Sequence, residues 1–157
     1  MARNRLYSLA LAALLAVLPG QHASAAEPDP SSDNPDRKLV IYQAFTRLFG
    51  NKQDANIPWG TVAQNGVGKF SDFDDKALQG IKQLGVSHVW YTGVPHHALV
   101  ADYTAYGISI DDPDVIKGRA GSPYAVKDYY NVNPDLANDP AQRLQEFKEL
   151  IERSHRH

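Results

Sequence analysis

Ala77-Leu78-Gln79-Gly80-Ile81-Lys82-Gln83-Leu84-Gly85-Val86-Ser87-His88-Val89-Trp90-Tyr91-Thr92 joins a helix to a strand through a single glycine, and this junction decides the fold class. Phe73, Ala77, Ile81 and Leu84 recur at helical spacing and give one apolar face. Ser71 is a good N-cap, and Asp74 follows it by three residues as a variant of the capping box. Asp72, Asp74 and Asp75 put negative charge in the first turn, where the helix dipole favours it. Gly85 suits the left-handed position just past a helix, and residues 86–92 then read as a strand.

Outward from this junction the same pattern repeats. Residues 39–45 (Leu39-Val40-Ile41-Tyr42-Gln43-Ala44-Phe45) are nearly continuously apolar, which suits a parallel-sheet strand buried on both faces. After the second strand, Asp139, Pro140 and Gln142 mark the start of another helix. Leu144, Phe147, Leu150 and Ile151 form its stripe, and Arg153 and Arg156 suit its last turn. The expected order is strand, loop, helix, strand, loop, helix. The strand-to-helix loops, residues 46–70 and 93–138, are long, and loops beyond about 15 residues are usually functional. In parallel α/β folds such loops gather at the carboxyl ends of the strands. That face holds the active site in (β/α)8 barrels and is used similarly in doubly wound sheets. The pattern alone leaves both architectures open.

Composition narrows the setting. Arg3 and Arg5 precede an apolar run over residues 6–18, and Ala23-Ser24-Ala25 offers a small-residue cleavage site. Residues 1–25 are therefore expected to be a signal peptide and the protein exported, to the periplasm or beyond the cell. The run is short of the roughly 20 residues a membrane span needs, so no membrane span is expected. Residues 26–38, rich in Pro, Ser and Asp, read as a disordered linker, leaving residues 39–157 to pack. There are no cysteines to supply disulfides. A formal net charge of −2 gives no basic surface for nucleic acid.

Three segments resemble the opening of the alpha-amylase family (glycoside hydrolase family 13). Val40-Ile41-Tyr42-Gln43-Ala44-Phe45 resembles its first barrel strand, and residues 77–90 resemble its first helix and second strand. Ser122-Pro123-Tyr124-Ala125-Val126-Lys127-Asp128-Tyr129-Tyr130-Asn131-Val132-Asn133-Pro134 resembles the family's most specific early segment: Tyr, three residues, Asp and Tyr, then Asn-Pro. The resemblance implies an α/β fold comprising about the first two βα units of a (β/α)8 TIM barrel, incomplete as given. It also implies hydrolysis of α-glucosidic bonds in starch-like glucans with retention of configuration. That chemistry needs two carboxyl groups about 5 Å apart. The family takes them from later strands, so no catalytic residue is assigned here and the chain alone is expected to be inactive. No cofactor is assigned to this chain; calcium belongs to many complete family members. The expected partner is an α-glucan or maltooligosaccharide. A non-catalytic glucan-binding or partner-binding protein is the competing reading, with a family transferase or isomerase as a third.

By this resemblance Tyr124 is the foremost substrate-binding candidate, a platform beneath a sugar ring whose axial C–H groups pack on the aromatic face. Asp128 is expected to orient the loop through backbone amides. His97 is the second substrate-binding candidate, hydrogen-bonding a glucan hydroxyl, with a structural histidine as the alternative. His96 and His97 are adjacent and would point to opposite faces of a strand, so no metal is assigned to them. Asp111-Asp112-Pro113-Asp114 lacks the Gly and distal Glu of an EF-hand loop and reads as a turn. For Trp59, core or loop packing is preferred over an outer sugar platform.

Overall fold

The computed structural model describes residues 38–53 and 55–157. The expected signal peptide and all but the last residue of the expected linker lie outside the described residues. In chain order the elements are β1 (Ile41–Phe45), α1 (Val62–Asn65), α2 (Asp75–Gln83), β2 (His88–Thr92), β3 (Pro95–His97), β4 (Val126–Val132) and α3 (Arg143–His155). β1 and β2 pair in parallel, with Ile41 opposite His88 and Phe45 opposite Thr92. β3 and β4 form a separate antiparallel pair whose register is interrupted on both sides of His96. Among the described residues these two-stranded sheets do not close into a barrel. No described helix is long and apolar enough to cross a membrane.

The core lies on one side of the parallel pair. Ala44, Phe70, Phe73, Leu78, Val94, Val132, Leu136, Ala137 and Leu150 cluster there, with Tyr42, Val89 and Tyr91 of the sheet packed against them. Phe49 stacks on Phe73 at 4.0 Å, and Tyr91 meets the Phe73 ring edge-on at 4.9 Å. α3 is tied to the turn before α2: Arg153 donates from Nε to the Phe73 carbonyl at 2.7 Å and from Nη2 to the Phe70 carbonyl at 3.1 Å.

Several expectations are corrected. The first strand is not buried on both faces: Ile41, Gln43 and Phe45 lie on an open face, beside His88 and Trp90 of β2, and Trp90 is 54 % exposed. Helix α2 is capped by Asp74 rather than Ser71, its Oδ1 accepting from Ala77 N at 2.7 Å. The reason is local. Phe70–Asp72 closes its own 3-10 turn, with the Asp72 carboxylate accepting from Lys69 N at 2.6 Å, and this takes Ser71 out of the capping position. Leu78 and Ile81 supply the buried stripe, while Leu84 lies at the C-cap and is exposed as the chain turns away. Leu144 is likewise exposed on α3, where Leu150 is buried.

The loop over residues 93–138 is also more ordered than its length implies. β-forming residues in the Val126–Val132 stretch pair with Pro95–His97, and Asn133 N returns to the Val94 carbonyl at 2.8 Å. Tyr129 and Tyr130 are exposed.

Candidate functional site

Because β1 and β2 are parallel, Phe45 and Thr92 end on the same side of the sheet, and both long loops leave from there. Thr46 N donates to the Thr92 carbonyl at 3.1 Å and Gln43 Nε2 to Thr92 Oγ1 at 2.9 Å, locking the two strand ends together. Gly93 follows with φ of +83°. A Cβ there would lie 3.2 Å from Pro123 Cβ and 3.3 Å from Phe45 Cε2, so the glycine lets Pro123 and Phe45 close over the strand end. The neighbouring residue, Tyr124, is 79 % exposed. An anchored proline thus precedes a free aromatic ring at the carboxyl end of a parallel pair. Asp128 accepts from Tyr130 N at 2.9 Å, a backbone contact of the kind expected of it.

The adjacent histidines behave differently from Tyr124. His97 is 3 % exposed, and its Nε2–H donates to the Ala120 carbonyl at 3.0 Å. The ring therefore ties β3 to the returning loop and lies out of contact with solvent. His96 is also buried, because the register breaks on either side of it stop the two rings from alternating between faces. Neither of its ring nitrogens has a partner among the described residues. Burial pushes the His96 imidazole below its ordinary range, with Lys127 adding to the effect and Asp111 and Asp128 opposing it.

A polar network absent from any sequence motif sits between the loops. Asp135 is 3 % exposed and accepts from Arg47 Nη1 at 2.6 Å and from the Tyr103 hydroxyl at 2.6 Å. Lys69 Nζ donates to the Asp135 carbonyl at 2.6 Å and the Ala137 carbonyl at 2.8 Å. Burial lowers the Lys69 ammonium and raises the Tyr103 phenol, the latter helped by the adjacent Asp135 charge. Four separate segments meet at Asp135, two of them reaching it through its carboxylate and one through its backbone carbonyl. Nothing in the spacing of Arg47, Lys69, Tyr103 and Asp135 signals it. The only local cue is Asn133-Pro134, which starts a tight turn with Asn133 Oδ1 accepting from Asp135 N at 3.0 Å.

Other loop carboxylates are occupied as well. Asp111 pairs with Lys127 at 2.5 Å and accepts from Leu99 N, Asp112 accepts from Asp114 N, and Asp102 accepts from the Thr104 amide and hydroxyl. Residues 111–114 thus form the expected turn. Among the described residues no cluster of three potential metal ligands occurs.

Trp59 departs from the preferred packing role. It is 58 % exposed, at φ of +56°, and lines a cleft of about 530 Å3 between the loop after β1 and the loop carrying Lys117 and Arg119. No protein-family model, curated protein or solved structure matches the chain.

Proposed function

We propose that residues 39–157 form the substrate-binding opening segment of a secreted alpha-amylase-type glycoside hydrolase acting on α-glucosidic bonds of starch-like glucans. The observation that carries the reading is Tyr124: its ring is open to solvent, directly beyond the proline packed on Gly93 and Phe45 at the carboxyl ends of two parallel strands. That geometry suits a platform for a pyranose ring, with the phenol free to hydrogen-bond at its edge. The segment over residues 122–134, which resembles the family's, supports the same assignment.

The chain by itself binds rather than cleaves in this reading. Retaining hydrolysis needs a nucleophile and an acid about 5 Å apart across the scissile bond. Asp102, Asp111, Asp128 and Asp135 are instead each engaged by backbone amides, hydroxyls or cations. Calorimetric titration of the full chain with maltoheptaose tests the proposal. Binding is expected, weakened at least about tenfold by Tyr124→Ala. No binding, or an affinity indifferent to that substitution, overturns it.

A further inference from the structure

We infer that the cleft beneath Trp59 is a second pyranose-binding subsite, separate from Tyr124, which holds an outer unit of the same oligosaccharide. The inference rests on the proposed glucan reading and extends it to the loop after β1.

The first support is the state of Trp59. A bulky residue in the left-handed region is a backbone outlier, and such strain persists only where the surroundings over-determine it. Here they do. The Asn65 side chain clamps the turn from both sides, its Oδ1 accepting from Ile57 N at 2.8 Å and its Nδ2 donating to Ile57 O at 2.9 Å. Gly60 N closes the turn onto Ile57 O at 2.8 Å, and Asn51 Nδ2 holds the Asn65 carbonyl at 2.9 Å. These bonds hold a large aromatic side chain outward, where packing alone would draw it in. A ligand that stacks on the ring then meets a platform with little ordering left to do.

The second support is the rest of the cleft. Its floor is the Arg47–Asp135 pair, fixed at 2.6 Å. The lining also includes Lys117 and Arg119, neither with a carboxylate partner among the described residues. Cationic donors make strong hydrogen bonds to oxygen acceptors, and a hydroxyl-rich ring stacked on Trp59 presents such acceptors around its edge. An aromatic face sharing a cleft with free donors suits a pyranose better than a purely apolar ligand. The chain also brings Tyr124 near one edge of the cleft. Ala120 lines the cleft and Tyr124 follows four residues later, so the connecting backbone spans at most about 14 Å. Tyr124 thus lies within about 14 Å of the Ala120 edge of the cleft.

The test is titration of the full chain with maltoheptaose, comparing the wild type with Trp59→Asn, Trp59→Phe and Tyr124→Ala. Asn tolerates the left-handed backbone, so Trp59→Asn removes the platform without adding strain. The expected result is an affinity lowered at least about tenfold by Trp59→Asn and retained within about threefold by Trp59→Phe, with unchanged thermal midpoints. If Tyr124→Ala weakens binding while Trp59→Asn changes it by less than tenfold, this inference is overturned and the Tyr124 reading stands. If the wild type binds no maltooligosaccharide, the functional reading itself fails and takes the subsite with it.

Discussion

Replacing Asp135 with alanine should cost about 3 kcal/mol, more than deleting any exposed residue of the loops. Asp135 is 3 % exposed, and its two oxygens are taken by Arg47 and Tyr103, each at 2.6 Å. Alanine would leave the Arg47 guanidinium, itself largely covered, beside no countercharge. Removing one partner of a buried pair costs about 3–5 kcal/mol because the other charge stays desolvated. Arg47 keeps some contact with water, which places the expectation at the lower end of that range. The Tyr103 hydroxyl also loses an acceptor, and that loss falls within the same total because both contacts share one carboxylate. Urea unfolding of the full chain, followed by tyrosine and tryptophan fluorescence, measures the effect. With a slope of about 1.5 kcal/mol/M for a domain of this size, the midpoint should fall by about 2 M. Arg47→Met in the Asp135→Ala background should recover part of the loss, since it removes the stranded charge. A loss below about 1 kcal/mol in the single variant, or no recovery in the double, would refute the claim that this carboxylate holds the loops together.

Two further outcomes follow from the same loops. His96 is buried with no partner for either nitrogen, so the unfolded chain takes up a proton more readily than the folded one. Its contribution to stability is full above the ordinary imidazole value of about 6.5 and is lost as pH falls below it, by up to about 1.4 kcal/mol per pH unit. His96→Leu should flatten the thermal midpoint between pH 7 and pH 5, and an unchanged slope would count against the assignment. Gly121 has φ of +65°, and a Cβ there would overlap the Ala98 carbonyl. Gly121→Ala should therefore lower stability by about 2 kcal/mol in chemical denaturation, and a neutral result would mean that the loop relaxes freely.

The parallel strand pair, the helix over residues 75–83 and the helix after Asp139 are all legible in the sequence, because each is written in local signals. Apolar runs, a capping aspartate, a glycine stop and a proline start lie within a few residues of the backbone they shape. Boundaries slip where two local solutions compete. Ser71 and Asp74 are both good caps, and the choice fell to Asp74 because Asp72 had already bonded Lys69 N. The open face of the β1–β2 sheet is a different kind of failure. Ile41, Phe45 and Trp90 carry the hydrophobicity of a buried strand, but a residue's type does not reveal whether anything covers it.

The site divides along the same line. Tyr124 lies in a segment that resembles the alpha-amylase family's, and its ring is open to solvent beside Pro123, which approaches Gly93. His97 lies in an equally suggestive loop, but its ring is turned inward by the Ala120 carbonyl, a partner 23 residues away that no spacing rule identifies. Arg47 and Asp135 are 88 residues apart and would pass for surface charges in any reading of composition. Long-range pairing of this kind fixes which loop residues face a ligand and which face the core. In this chain a single buried carboxylate sets the floor of the Trp59 cleft and anchors the turn that follows the Tyr124 segment. Perturbing Asp135 should therefore disturb both proposed platforms together, whereas substitutions at Tyr124 or Trp59 act on one proposed platform each.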